Sequence, residues 1–164
     1  VNGGTALACH GTAVLVGTVG VLLRGGSGAG KSMLALALID AGARLVADDR
    51  VYLTARGGRM VAGPPSAIAG LVELRGAGIL QRPFEPMVVI ALIADLVEPD
   101  AIERMPSAEE SRVELHGVAI ARRAVPAPGF TGALEPAVML IRHAVEDMRN
   151  TTHHKALHLP QVSP

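Results

Sequence analysis

At 164 residues the chain is long enough for one sizeable hydrophobic core and too short for two, so one compact domain is the default. Its residues are 49% hydrophobic but only 2% aromatic; a core made of Ala, Val, Leu and Ile suits buried parallel strands and closely packed helices and argues against a β-sandwich. Fifteen basic and fifteen acidic side chains cancel, which leaves no global field to recruit nucleic acid or an anionic membrane, and there is no aromatic platform on which bases could stack.

The first apolar stretch, "ALACHGTAVLVGTVGVLL" from Ala6 to Leu23, lacks a basic leader and is interrupted by His10, Gly11, Gly17 and Gly20. It reads as two short strands joined by a turn at Gly17-Thr18, not as an export signal or a membrane span. Cys9 is the only cysteine, which allows no internal disulfide and fits a reducing, cytoplasmic setting. As the neighbour of His10 on a strand it points to the opposite face, so it is read as core and not as a nucleophile paired with that histidine.

The strand ending in "GVLLRG" runs into glycines and then into "KSMLALALIDAG", a helical pattern closed by a glycine. "ARLVADD", Ala43 to Asp49, is a buried strand whose apolar residues stop at two carboxylates, and the carboxyl ends of strands are where open α/β sheets bind ligands. "VYLTARGGRMVAG" reads as a hairpin turning at Gly57-Gly58, and "LVELRGAGIL" as a strand bent and ended by Gly76 and Gly78. "MVVIALIADL", Met87 to Leu96, is the most hydrophobic run and is expected to be a central strand. "RVELHGVAIAR" pairs about a turn near His116-Gly117, and "AVPAPGFTG" is a loop kept open by its prolines and glycines. The last helix starts near Leu134-Glu135-Pro136, with Leu134, Val138, Ile141, Val145 and Met148 at helical spacing against the sheet. After Asn150 the periodicity fades, and 151–164, including His153, His154 and His158, read as a loose, solvated tail behind a domain spanning 1–150.

Gly25, Gly30, Lys31 and Ser32 satisfy the phosphate-loop pattern G-x-x-x-x-G-K-[ST], between a predicted strand and a predicted helix as the motif requires. The backbone amides of Gly25, Gly26, Ser27, Gly28, Ala29 and Gly30 can converge on phosphate oxygens, helped by the helix amino terminus. Lys31 reaches the outer phosphates and Ser32 can ligate magnesium, so a phosphate-bearing ligand with Mg2+ is expected. Of Asp48 and Asp49, one carboxylate can face that metal while the other points away, unless the chain is already turning. The fold expected is a phosphate-loop nucleotide-binding α/β domain with a central mixed or parallel sheet and flanking helices. The acceptor stays open at this point: guanine-specific N-K-x-D, the L-S-G-G-Q signature of transporter ATPases and an arginine-rich lid are all missing.

Taken together, "HGTAVLV", "GGSGAGKS", "RLVADDRV" and "GLVELRGAGIL" resemble, in order and spacing, the catalytic domain of bacterial HPr kinase/phosphorylase, in a short form without the amino-terminal regulatory domain. "LVELRGAGI" is the family-specific piece. The resemblance implies transfer of a phosphoryl group from ATP to a serine of HPr, the carrier protein of the sugar phosphotransferase system. It also implies phosphorolysis of the product and homo-oligomerisation, a hexamer in the family.

Carried over residue by residue, the resemblance makes Lys31 the phosphate-loop lysine, Ser32 and Glu73 magnesium residues, and Asp49 the carboxylate that exchanges a proton with the serine. Asp48 is left as the metal-side carboxylate. His10, which by itself fits a core histidine bonded to backbone, becomes the active-site histidine beside Asp49. Arg104 in "AIERMPS", by itself equally a surface arginine, becomes the catalytic arginine. One departure stands out: Ala127 and Phe130 occupy places where longer members carry arginines linked to dephosphorylation. A kinase with weakened phosphorolysis is therefore expected; the rivals are a phosphate-loop kinase of small molecules and a non-catalytic ATP-binding regulator.

Overall fold

Val88–Val97, one residue along from the run Met87–Leu96 expected at the centre, is the axis on which the rest of the sheet is built. The computed structural model describes residues 4–157, and side chains through His153. In chain order the strands are β1 (Leu7–His10), β2 (Thr12–Val16), β3 (Val19–Arg24), β4 (Arg44–Ala47), β5 (Arg50–Arg56), β6 (Arg59–Gly63), β7 (Leu71–Leu74), β8 (Gly78–Gln81), β9 (Val88–Val97), β10 (Arg112–Leu115) and β11 (Val118–Pro126). Among the described residues there are three α-helices, α1 (Lys31–Asp40) between β3 and β4, and α2 (Pro128–Thr131) and α3 (Glu135–Leu157) after β11.

Nine strands form one mixed sheet in the order β1-β5-β6-β9-β3-β2-β4, with β11 also on β9 and β10 on β11. β9 pairs in parallel with β3 and β11 and antiparallel with β6. The carboxyl ends of three parallel strands therefore share one edge of the molecule, and three loops leave from it.

Period-two alternation divides most of the strands' apolar residues between two large cores, and Leu45 of β4 and Val72 of β7 form a smaller third cluster with Leu36 of α1. Val21 and Leu23 of β3, with Leu92, Ala94 and Leu96 of β9, pack under Leu34 and Leu38 of α1 and Ile141 and Val145 of α3. Leu22 and Ile93 point the other way, to Val46, Val51, Leu53, Met60, Ile90 and Ile120. No helix contributes to that second core, so among the described residues α1 and α3 pack on one face of the sheet and the other core is made by strands alone. Fully buried leucines such as Leu22 and Leu23 each contribute roughly 1.5–3 kcal/mol of burial free energy. Gly20 permits the close approach of β3 to β9, since a Cβ there would stand 2.2 Å from the Val89 carbonyl oxygen.

The turns at Gly17-Thr18, Gly57-Gly58 and His116-Gly117 fall where expected, each with at least one residue in the left-handed region. Four segments differ from the sequence reading. Ala6 to Leu23 makes three strands and not two, because the chain breaks at Gly11, whose amide donates to the Asp49 carbonyl (3.2 Å). "LVELRGAGIL" is a complete hairpin, β7 with β8, forming its own two-stranded sheet; Gly76 and Gly78, both at positive φ, reverse the chain where a bend was expected. "AVPAPGFTG" is no open loop: β11 runs to Pro126 and Pro128 starts the single turn α2. The last helix begins at Glu135 as expected but passes Asn150 and continues to Leu157. No glycine or proline stops it, and the Thr151 and Thr152 hydroxyls donate back to the Asp147 and Met148 carbonyls (2.9 Å each). The remainder of the expected tail, 158–164 with His158, lies outside the described residues, as does the His154 side chain.

Candidate active site

Helix α1 starts directly after β3, with Gly30 in the left-handed region at its N-cap and no side chain capping its leading amides. Those amides and the positive end of the helix dipole therefore face the loop that precedes them, the arrangement that binds phosphate oxygens. A Cβ added to Gly26 or Gly28 would meet nothing within 4 Å, so the loop's open side is clear for a ligand. Lys31 is only 7% exposed, and its Nζ donates to the carbonyls of Gly25 (2.8 Å) and Gly26 (2.9 Å), which hold the ammonium across the loop. Behind the loop, Gly129 donates its amide to the Ala29 carbonyl (2.9 Å), and a Cβ on Gly129 would lie 1.9 Å from the Gly28 carbonyl oxygen. The turn after β11 is thus a brace for the phosphate loop.

Asp48 follows the last residue of β4 and is 5% exposed. Its Oδ1 accepts from the hydroxyls of Thr12 (2.8 Å) and Ser32 (2.8 Å), and its Oδ2 accepts from Ser32 (3.0 Å) and from the amide of Glu73 (3.2 Å). A buried carboxylate that collects this many donors is held in one orientation, with its polar atoms satisfied. Ser32 and Asp48 together offer hard oxygen ligands beside the phosphate loop, a donor set that suits Mg2+ completed by phosphate oxygens and water. Among the described residues no three Asp, Glu, His or Cys side chains gather to cage a metal without such help.

Asp49 parts company with its neighbour. It adopts φ 64°, its side chain is 74% exposed, and its Oδ1 lies 3.4 Å from Nδ1 of His10. The cause is one antiparallel ribbon: β1 pairs with β5 (His10 opposite Arg50) and β2 pairs with β4 (Ala13 opposite Ala47). The same register carries across the break, setting Thr12 against Asp48 and Gly11 against Asp49. The division of the two aspartates expected from strand geometry is present, with the left-handed turn at Asp49 contributing to it. His10 is exposed and is no core histidine.

Glu73 reaches this cluster through its backbone amide, while its carboxylate is exposed on β7. Arg104 is exposed in the connection between β9 and β10, and no hydrogen bond or ion pair among the described residues ties it to Ser32 or Asp48. Cys9 packs against the helix-free core as expected; burial pushes its thiol up, partly opposed by Arg24, which makes it a poor nucleophile at neutral pH.

Three features escaped the sequence reading: Thr12 as a ligand-side anchor for Asp48, the Pro128-Gly129 brace, and a charged junction of Arg24, Asp95 and Arg122. Thr12 and Asp95 each had a signal, a polar residue in an otherwise aliphatic strand, but nothing local shows that Asp95 meets Arg24 and Arg122. The brace had none.

A mixed sheet whose parallel strands deliver a glycine-rich loop, an uncapped helix start, a buried lysine and a Ser–Asp oxygen pair to one edge defines a phosphate-loop nucleotide-binding domain. More narrowly, the chain belongs to the HPr Serine kinase C-terminal domain family, whose pattern matches residues 4–154. It is 34% identical to the HPr kinase/phosphorylase of Shouchella clausii over 82% of the chain and 48% of that protein. It is 35% identical to the one from Lactobacillus delbrueckii subsp. bulgaricus over 81% of the chain and 46% of that protein. The chain thus spans about half the length of these relatives. In fold it is similar to the solved Hpr(Ser) kinase/phosphatase from Coxiella burnetii, with a TM-score of 0.74 at 22% identity over 94% of this chain and 99% of that one. No helix among the described residues is long and apolar enough to cross a membrane.

Proposed function

We propose that the domain is an ATP-dependent protein serine kinase that phosphorylates HPr, as the names of its relatives suggest for a chain of this family. The observation that carries the reading is the pairing of Ser32 with Asp48 at 2.8 Å beside Lys31, with Asp49 turned outward next to His10. This separates a buried, metal-side carboxylate from an exposed one that a protein hydroxyl can reach.

In this reading the leading amides of α1 and the Lys31 ammonium hold the nucleotide phosphates, and Ser32, Asp48 and Glu73 would hold magnesium directly or through water; when bound, the ion would supply charge neutralisation for the phosphates. Asp49 accepts the proton of the incoming serine, and His10 orients that carboxylate. The Arg104 cation offsets charge on the phosphoryl group as it moves. Because little nucleophile activation is needed in a loose transition state, most of the rate comes from positioning and electrostatics. Regulation of carbohydrate metabolism, cytoplasmic placement and a homo-oligomeric, hexameric state are parts of the same proposal.

The forward direction dominates in this proposal. Ala127 is fully buried and Phe130 carries no charge, so neither offers a cation to inorganic phosphate. The test is transfer of label from the γ-phosphate of ATP to HPr, with HPr lacking its acceptor serine as control. Label on intact HPr and none on the control supports the proposal; label on neither overturns it.

A further inference from the structure

At the same edge of the sheet as the phosphate loop stands a charged junction that the reaction scheme does not use. Asp95, near the end of β9, has a side chain only 15% exposed. Arg24, the last residue of β3, donates Nε to Oδ1 (2.7 Å) and Nη2 to Oδ2 (2.9 Å) of Asp95. Arg122 of β11 donates Nε to Oδ2 (2.5 Å). Both carboxylate oxygens are thereby engaged by guanidinium groups, so Asp95 is not available as a metal carboxylate.

Each arginine leads to a different loop. Arg24 is followed at once by Gly25, whose carbonyl, with that of Gly26, holds the Lys31 ammonium. Gly25 also packs directly on β9, where a Cβ would stand 3.1 Å from the Leu96 Cβ. Arg122 donates Nη1 to the Glu110 carbonyl (3.2 Å) and its own amide to the Ser111 carbonyl (2.7 Å). Glu110 and Ser111 close the β9–β10 connection, the segment that carries Arg104. That end of the connection is itself ordered by a reciprocal pair: the Ser107 amide donates to Glu110 Oε2 (2.8 Å) and the Glu110 amide donates to Ser107 Oγ (3.2 Å).

A half-buried Arg–Asp–Arg cluster is weak evidence for stability, since desolvation offsets much of its attraction, but two-point guanidinium pairing fixes geometry strictly. We propose that Asp95 is a positioning residue: through Arg24 and Arg122 it holds the phosphate loop and the Arg104 connection at a fixed separation. The inference rests on the roles given above to Lys31 and Arg104.

The two arms are separable by experiment on the full chain. Arg122→Met keeps the stem and the Asp95–Arg24 pair but releases the connection. Hydrogen exchange across residues 98–111 should quicken, and kcat for HPr should fall roughly 10- to 100-fold while the MgATP Kd is retained. Adding Arg104→Ala to Arg122→Met should lower kcat little further, because both act through one cation. Asp95→Asn frees both arms and should weaken MgATP binding as well as turnover. Wild-type exchange and turnover in Arg122→Met would overturn the proposal, as would losses from Arg122→Met and Arg104→Ala that multiply in full. If Asp95→Asn does not fold, Arg122→Met and Arg24→Met decide the matter by the same readouts. Should the wild-type protein bind MgATP yet leave HPr unmodified, the kinase reading fails, while exchange of 98–111 still tests the junction.

Discussion

The Ser32 hydroxyl lies 2.8 Å from Oδ1 of Asp48, joining the first turn of α1 to the end of β4 across the mouth of the phosphate loop. Thr12 reaches the same oxygen from β2, also at 2.8 Å. Thr12→Val keeps the shape of a fully buried side chain but leaves Asp48 short of one donor, at a cost of about 1–3 kcal/mol in stability by denaturant unfolding. MgATP affinity should fall with it, because Asp48 loses its fixed orientation. Unchanged affinity and stability would mean that Thr12 is only filling space.

Lys31→Ala removes the ammonium that spans the loop. Charge-assisted hydrogen bonds are worth about 1.5–3 kcal/mol, so ATP should bind roughly ten- to a hundredfold more weakly by calorimetry, with productive turnover lost. Ser32→Ala should instead weaken MgATP binding more than binding of metal-free ATP.

Asp49→Asn tests the division between the two aspartates. Among the described residues the exposed carboxylate is paired with His10 and has no hydrogen bond or ion pair to the loop, so nucleotide binding should be spared while turnover disappears. Normal turnover in this variant would show that the base is elsewhere.

Gly129→Ala drives a methyl group into the Gly28 carbonyl, 1.9 Å away where no relaxation of that atom is possible without moving the loop. Overpacking of this kind costs about 1–3 kcal/mol, and the loop is what must shift. ATP affinity should drop more than the melting temperature. Wild-type affinity would show that the brace is not coupled to the phosphate site.

Burial alone would raise the Asp95 carboxyl, but hydrogen bonds from Arg24 and Arg122 outweigh it and hold the group below its ordinary value. A carboxyl depressed in the folded state adds stability that is present above the unfolded pKa, about 4, and is lost as pH falls through the folded pKa. Asp95→Asn should therefore melt below wild type at pH 7, with the gap narrowing as pH drops below about 4. A gap that stays constant with pH would assign the effect to packing and not to ionisation.

The phosphate loop was legible in the sequence because four residues at fixed spacing carry its chemistry, and the central strand because its apolar run is long. The hairpin β7–β8 was misread as a bent strand: glycines mark a change of direction, and only the paired backbones reveal that the chain reverses. The helix extension past Asn150 was hidden because polar threonines and histidines break the apolar period, although no glycine or proline interrupts the backbone there. Arg24, Asp95 and Arg122 are distant in sequence, and no local pattern relates them. Their meeting follows from the parallel register of β3, β9 and β11, which periodicity alone does not supply.

The most direct measurement is the intact mass of HPr after incubation with this protein and MgATP, followed by excess inorganic phosphate in the same sample. The account predicts one added phosphoryl group on a serine that persists when phosphate is added. An unchanged mass despite confirmed ATP binding would contradict the kinase assignment, and rapid loss of the phosphoryl group on adding phosphate would contradict the dominance of the forward reaction.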